Sequence, residues 1–234
     1  IHEHLDLIAG LPYEGYETFA RSFDEIYALK PNQLQLGFLK VLKGSYMYEH
    51  ATEYGLIYRS RPPYEVLKTN WLKFGEILRI RQVEEMLEVY YNSGQYATAI
   101  RLLETQYASA FAMFAELGTF YEEHGYFGMS HSRMRRAEIL LEFAKERRPG
   151  VLPVLGEGLV YDLYERENLG SRPAWAADAN EWKQMTRQYG KNGKQSHIER
   201  FFYRFSGRRQ DTVLLPERLE DPVYVRFDYT GRDP

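Results

Sequence analysis

The pattern of apolar and polar positions divides the chain into a short β/α part and a long helical part. The first segment, Leu5-Asp6-Leu7-Ile8-Ala9-Gly10-Leu11-Pro12-Tyr13-Glu14, is an apolar run too short for a good helix, and turn formers end it. It predicts a strand over about 3–10, buried on both faces as in parallel sheets covered by helices. Phe19, Phe23, Ile26 and Tyr27 recur at three- and four-residue spacing and predict a helix over 15–29, stopped by Lys30-Pro31-Asn32. Gln33 to Leu39 alternates cleanly and predicts a second strand. Lys43-Gly44-Ser45 then turns into another helix that ends near Tyr54-Gly55. Strand-helix-strand-helix is the repeating unit of parallel α/β sheets and barrels. A whole barrel takes about 250 residues, so two units make only part of one.

The character changes at Arg59-Ser60-Arg61-Pro62-Pro63, where adjacent prolines favour an extended connector. Ile77, Ile80, Val83, Leu87, Tyr90 and Tyr91 form the next apolar stripe, and Asn92-Ser93-Gly94 ends it with a residue free to take a left-handed cap. Helices are expected at 96–105, 108–124, 131–147 and 152–168, and one more over 176–190. Together they make a helical bundle. Ser196-His197-Ile198-Glu199 fits a capping box, with a strand over Phe201 to Phe205 as the alternative. Val223 to Tyr229 alternates as a final strand. The expected fold class is mainly α with a small α/β part: a partial parallel β/α barrel over 1–58, a helical domain over 59–234 and a short C-terminal strand.

Composition narrows the chemistry. The 234 residues include 20 tyrosines, which join apolar bulk to a polar tip. The net charge is −3 with acids and bases mixed, so no broad field favours nucleic acid or an anionic membrane. No apolar run approaches the roughly 20 residues of a membrane span, and residues 1–4 lack the basic flank of a signal peptide, so a cytoplasmic location is expected. Cysteine is absent, which excludes a disulfide, a thiol nucleophile and a thiolate ligand from these residues. The chain opens without Met on a residue that already reads as strand, which points to a fragment of a longer protein.

His4 to Glu14 resembles the fifth barrel strand of radical S-adenosylmethionine enzymes, which commonly ends in Gly-Leu-Pro-Gly-Glu; here Tyr13 stands where glycine is usual. Leu36 to Ser45 resembles the sixth strand and its loop. Residues 59–234, above all Pro62-Pro63-Tyr64-Glu65-Val66-Leu67, resemble the helical domain of unknown function that follows the barrel in a subgroup of cobalamin-binding radical enzymes. The resemblance implies S-adenosylmethionine, a four-iron cluster and, in the subgroup, cobalamin as cofactors of the full-length protein. Three cysteines in a loop after the first barrel strand would hold the cluster. The resemblance therefore implies that this chain alone holds no cofactor and catalyses nothing, and that its partners are N-terminal domains of the same protein and a substrate left open.

The resemblance makes Ile8 and Gly10 candidates for the adenine-side wall of the cofactor, and Gly37 a candidate for close approach from the sixth strand. Turn geometry and packing are the alternative account of both glycines. Asp6, inside an apolar run, should face a barrel interior or find a partner. Glu14 suits a helix N-terminus. His2 and His4 share one strand face, and His124 and His131 flank a turn, but no acids at ligand spacing complete a metal site. Arg133, Arg135, Arg136, Arg147 and Arg148 could bind a phosphate or form a solvated helix face. Trp71, Tyr90, Tyr107 and Phe111 read as core. The competing function is a stand-alone helical interaction module. With no strand upstream of it, residues 3–10 would be hidden in a homodimer or against the helical part.

Overall fold

Two strands and the helix between them set the frame. β1 (His4–Ala9) and β2 (Gln33–Phe38) pair in parallel, with Leu5 opposite Leu34 and Ile8 opposite Gly37. α1 (Tyr16–Ala28) joins them and buries Phe19, Phe23 and Tyr27, one residue per turn. The Gly15 N–H donates to Thr18 Oγ1 at its start, 2.9 Å away. The computed structural model describes residues 2–178, 195–205 and 215–230, and over these the chain is mainly helical.

The expected strand buried on both faces is instead half open. Ala9 is buried and Leu5 and Leu7 half-buried, whereas His4, Asp6 and Ile8, on the other face, are exposed. The run Leu5 to Ala9 looked uniformly apolar only because Asp6 is its single polar member. The second strand and first helix fall where the pattern puts them. The next helix is one turn long, α2 (Tyr46–Glu49), capped by Ser45. A hairpin follows that the sequence did not announce: β3 (Ile57–Tyr58) and β4 (Val66–Lys68), antiparallel. Strands of two and three residues are too short to show a period.

The described residues form two compact units, 1–93 with 107–128, and 94–106 with 129–234. In the first, α3 (Phe74–Leu87) and α5 (Ala110–Glu123) pack on each other and on the β/α segment. Gly118 makes the approach possible, since a Cβ there would meet Gln82 Cβ at 2.8 Å. Phe111 lies edge-on to Phe19 and Phe23, and Phe114 to Phe23 and Tyr27. Asp24 of α1 caps α5, accepting from Phe111 N–H at 2.8 Å and from the Ser109 hydroxyl at 2.6 Å. The expected stripe through Tyr91 breaks helical register: α3 passes into a π-turn, Glu88–Asn92. The extra residue lets neighbouring tyrosines face two ways. Tyr90 meets the Tyr121 hydroxyl, and Tyr91 donates to the Pro31 carbonyl at 2.6 Å.

The second unit contains α4 (Ala97–Glu104), α6 (Arg133–Arg147), α7 (Leu152–Arg166), β5 (Ser196–Phe201) and β6 (Val223–Asp228). Asp162 of α7 caps α4 from outside, accepting the Thr98 and Ala99 N–H groups at 2.9 Å each. Ser196 does not start a helix. It opens β5, which pairs antiparallel with β6 from Ser196–Asp228 to Phe201–Val223. The expected strand at 201–205 lies five residues earlier at its start, because Phe201 and Phe227 pack with Val160 and Tyr164 and so fix which residues pair. The helix expected over 176–190 falls almost wholly outside the described residues.

Candidate functional site

Ligands of parallel α/β units gather at the carboxyl ends of the strands, and the candidate residues can be placed there one by one. Ile8 is 48 % exposed on the sheet face opposite α1. Gly37 is its register partner on β2. A Cβ on Gly37 would meet only the Leu7 carbonyl oxygen, at 3.7 Å, so packing within the chain does not require glycine there. Gly10 is different. It is buried with φ +90°, and a Cβ would sit 2.5 Å from Val66 Cγ1. Turn conformation and the approach of β4 account for Gly10 without a ligand.

Val66 belongs to the Pro62–Leu67 motif, which the structure hooks onto the end of β2. Its N–H donates to the Leu39 carbonyl and the Val41 N–H donates to the Tyr64 carbonyl, each at 2.9 Å. Arg81 fixes the same motif through Glu65 at 2.6 Å, and its guanidinium lies over Phe38, 4.1 Å from the ring centroid.

Tyr13 follows at φ +67°, in the left-handed region that favours glycine. The Tyr13 ring compensates by packing on Trp71 (4.6 Å between centroids) and on Tyr54 (5.9 Å). His50 stacks on Tyr46 at 3.9 Å, and the Tyr46 and Tyr54 hydroxyls lie 3.1 Å apart. That hydrogen bond holds the Tyr54 hydroxyl well above the usual range. An aromatic group thus stands beside the end of β1. The sequence concealed it because its members lie 33 to 58 residues beyond Tyr13 in the chain, without a common period.

Asp6 finds its partner on its own strand: His4 Nε2 lies 3.2 Å from Asp6 Oδ1. Glu14 accepts a 3.3 Å bond from the Ser22 hydroxyl, and burial pushes its carboxyl up while that bond pulls it down. The His124 ring lies tilted against Phe120, 4.0 Å between centroids, with Nδ1 2.9 Å from the Phe120 carbonyl oxygen. Arg133 pairs with Glu167 and Arg135 with Glu142 at 2.7 Å, so those guanidinium groups have carboxylate partners. Tyr90 and Phe111 are core, while Trp71 and Tyr107 are half-buried. Among the described residues no group of three or more His, Cys, Asp or Glu is arranged to hold a metal ion. No helix among them is long and apolar enough to cross a membrane.

Backbone pairing adds what side chains do not reveal. The Asn92 carboxamide accepts the Leu34 N–H at 3.0 Å and donates to the Leu34 carbonyl at 2.9 Å. It replaces a neighbouring strand at the outer edge of β2. The Gln33 and Leu39 N–H groups bond the carbonyls of Glu3 and Ala9, so the alternate groups at His4, Asp6 and Ile8 face the other edge of β1. The described residues place no strand on that edge.

Fold and site together define a mainly helical chain that carries a parallel β/α unit, with one open face and, among the described residues, one open edge. Residues 52–213 match a family of proteins of unknown function, DUF4080, and the chain belongs to that family. No curated protein and no solved structure matches the chain.

Proposed function

We propose that this chain is the C-terminal portion of a radical S-adenosylmethionine enzyme, cobalamin-binding in its full-length form. β1 and β2 are the end of its barrel, and the DUF4080 part covers the barrel or selects substrate. One observation carries the reading: Asn92 occupies the β2 edge at Leu34, while the described residues place no strand beside β1. A sheet that continues must then grow from β1, the edge that strands earlier in the sequence would occupy in a barrel of parallel units.

The residues fit the adenine side of such a cofactor unequally. Ile8 offers an exposed apolar side chain, and Gly37 beside it leaves the backbone approachable. Gly10 supports the site by letting Val66 close against the turn. No residue here can ligate an iron-sulfur cluster through a thiolate, so its cysteines belong to residues before Ile1. The cluster, when bound, supplies the electron that cleaves S-adenosylmethionine. This chain's task is to bind, orient and exclude water.

The test is the reading frame and its product. Three closely spaced cysteine codons upstream, and reductive cleavage of S-adenosylmethionine by the anaerobically reconstituted product, are expected. An initiator codon immediately before Ile1 would contradict the proposal and leave a stand-alone module.

A further inference from the structure

A cavity of about 470 Å³ lies within the second unit, between α6, α7, β5 and the loop around Trp175. Its size is that of a small-molecule site. Leu141, Leu152, Pro153, Val160, Phe201 and Trp175 make its walls apolar. We propose that it binds an apolar monocarboxylate, which buries its chain against these walls and presents its carboxylate to Lys145 and its acceptor oxygens to Trp175. The proposal stands apart from the barrel reading.

Three observations converge. Trp175 borders the cavity, and its indole Nε1 is buried with no acceptor among the described residues. Buried donors are nearly always paired, so this one calls for an acceptor that the described residues do not supply. The charges bordering the cavity leave a positive excess. Glu142 is engaged by Arg135, Glu157 accepts the Phe202 N–H at 2.7 Å, and Arg172 pairs with the buried Glu199. Arg200 lies over the Phe202 ring, 5.2 Å from its centroid. Lys145 borders the same space, exposed and without a carboxylate partner among the described residues. The third observation is Gly156, inside α7. Glycine destabilises a helix interior by about 1 kcal/mol relative to alanine, yet a Cβ here would meet only Leu141 Cδ2, at 4.0 Å. Packing within the chain does not require it, and its missing side chain keeps the cavity wide.

The test is calorimetric titration of the 234-residue chain with decanoate below its micellar concentration, with decanol and decyltrimethylammonium as comparators. One-site binding of decanoate is expected, about tenfold tighter than decanol, with no binding of the cation. Lys145→Met should reduce decanoate to the level of decanol, and Gly156→Phe should abolish both. Absence of saturable decanoate binding, equal affinity for all three probes, or unchanged decanoate affinity in Lys145→Met would overturn the proposal. The Lys145 variant decides the matter if Gly156→Phe does not fold.

Discussion

Asn92 is the residue on which the β/α segment most depends, because one carboxamide satisfies both backbone groups of a fully buried residue, Leu34. Asn92→Ala should leave that N–H and carbonyl without partners and destabilise the fold by about 1–3 kcal/mol. Chemical denaturation of the purified variant measures this; a loss within error would mean that water replaces the amide. Asp162 poses a different question. Burial pushes its carboxyl up to about 7 from the usual 3.8, although the Thr98 and Ala99 N–H groups favour the charged form. An acid whose pKa rises on folding stabilises the fold below its unfolded value and loses that contribution as pH rises through the folded one. Unfolding free energy should therefore fall between about pH 4 and pH 8. Burial raises Glu14, Glu84 and Glu157 as well, so the Asp162 share is the difference from Asp162→Asn. Parallel curves for the two proteins would contradict it. Asn92 and Asp162 were not legible in sequence, since each acts across more than 50 residues on backbone rather than on a side-chain pattern.

Among the elements, α7 sets two glycines to opposite uses. A Cβ at Gly158 would meet Leu102 Cδ1 at 2.7 Å, so Gly158 lets α4 and α7 close together, while Gly156 faces open space. Gly158→Ala should destabilise by about 1–3 kcal/mol through overpacking, and Gly156→Ala should stabilise by up to about 1 kcal/mol. Thermal unfolding of the two variants checks the contrast; equal shifts would remove the reason for assigning the glycines different roles. The long elements were the legible ones. α1, α5, α6 and α7 begin and end within two residues of their expected bounds, because each carries an apolar stripe over three turns or more. At β5, Ser196 and Glu199 have the spacing of a helix cap, but pairing with β6 overrides that local signal. β3, β4 and the π-turn of 88–92 follow from contacts alone.

On the scale of the molecule, the DUF4080 match begins at residue 52, near the junction expected at 59, but the first compact unit runs across that junction. Its aromatic core explains the difference: Phe19, Phe23 and Tyr27 from α1 interlock with Phe111 and Phe114 from α5. Of the candidate cofactor wall, the position of Ile8 and Gly37 on strands was legible. That the two are register partners on an open face was not, because strand register depends on where both chains enter the sheet. The central claim is that the sheet continues beyond β1. The most direct measurement is amide hydrogen exchange over His4–Ala9, compared between the 234-residue chain and the product of the whole reading frame. The account predicts exchange at His4, Asp6 and Ile8 slowed by about tenfold or more in the longer protein, where further strands would pair with them. Equal exchange in both proteins would contradict it.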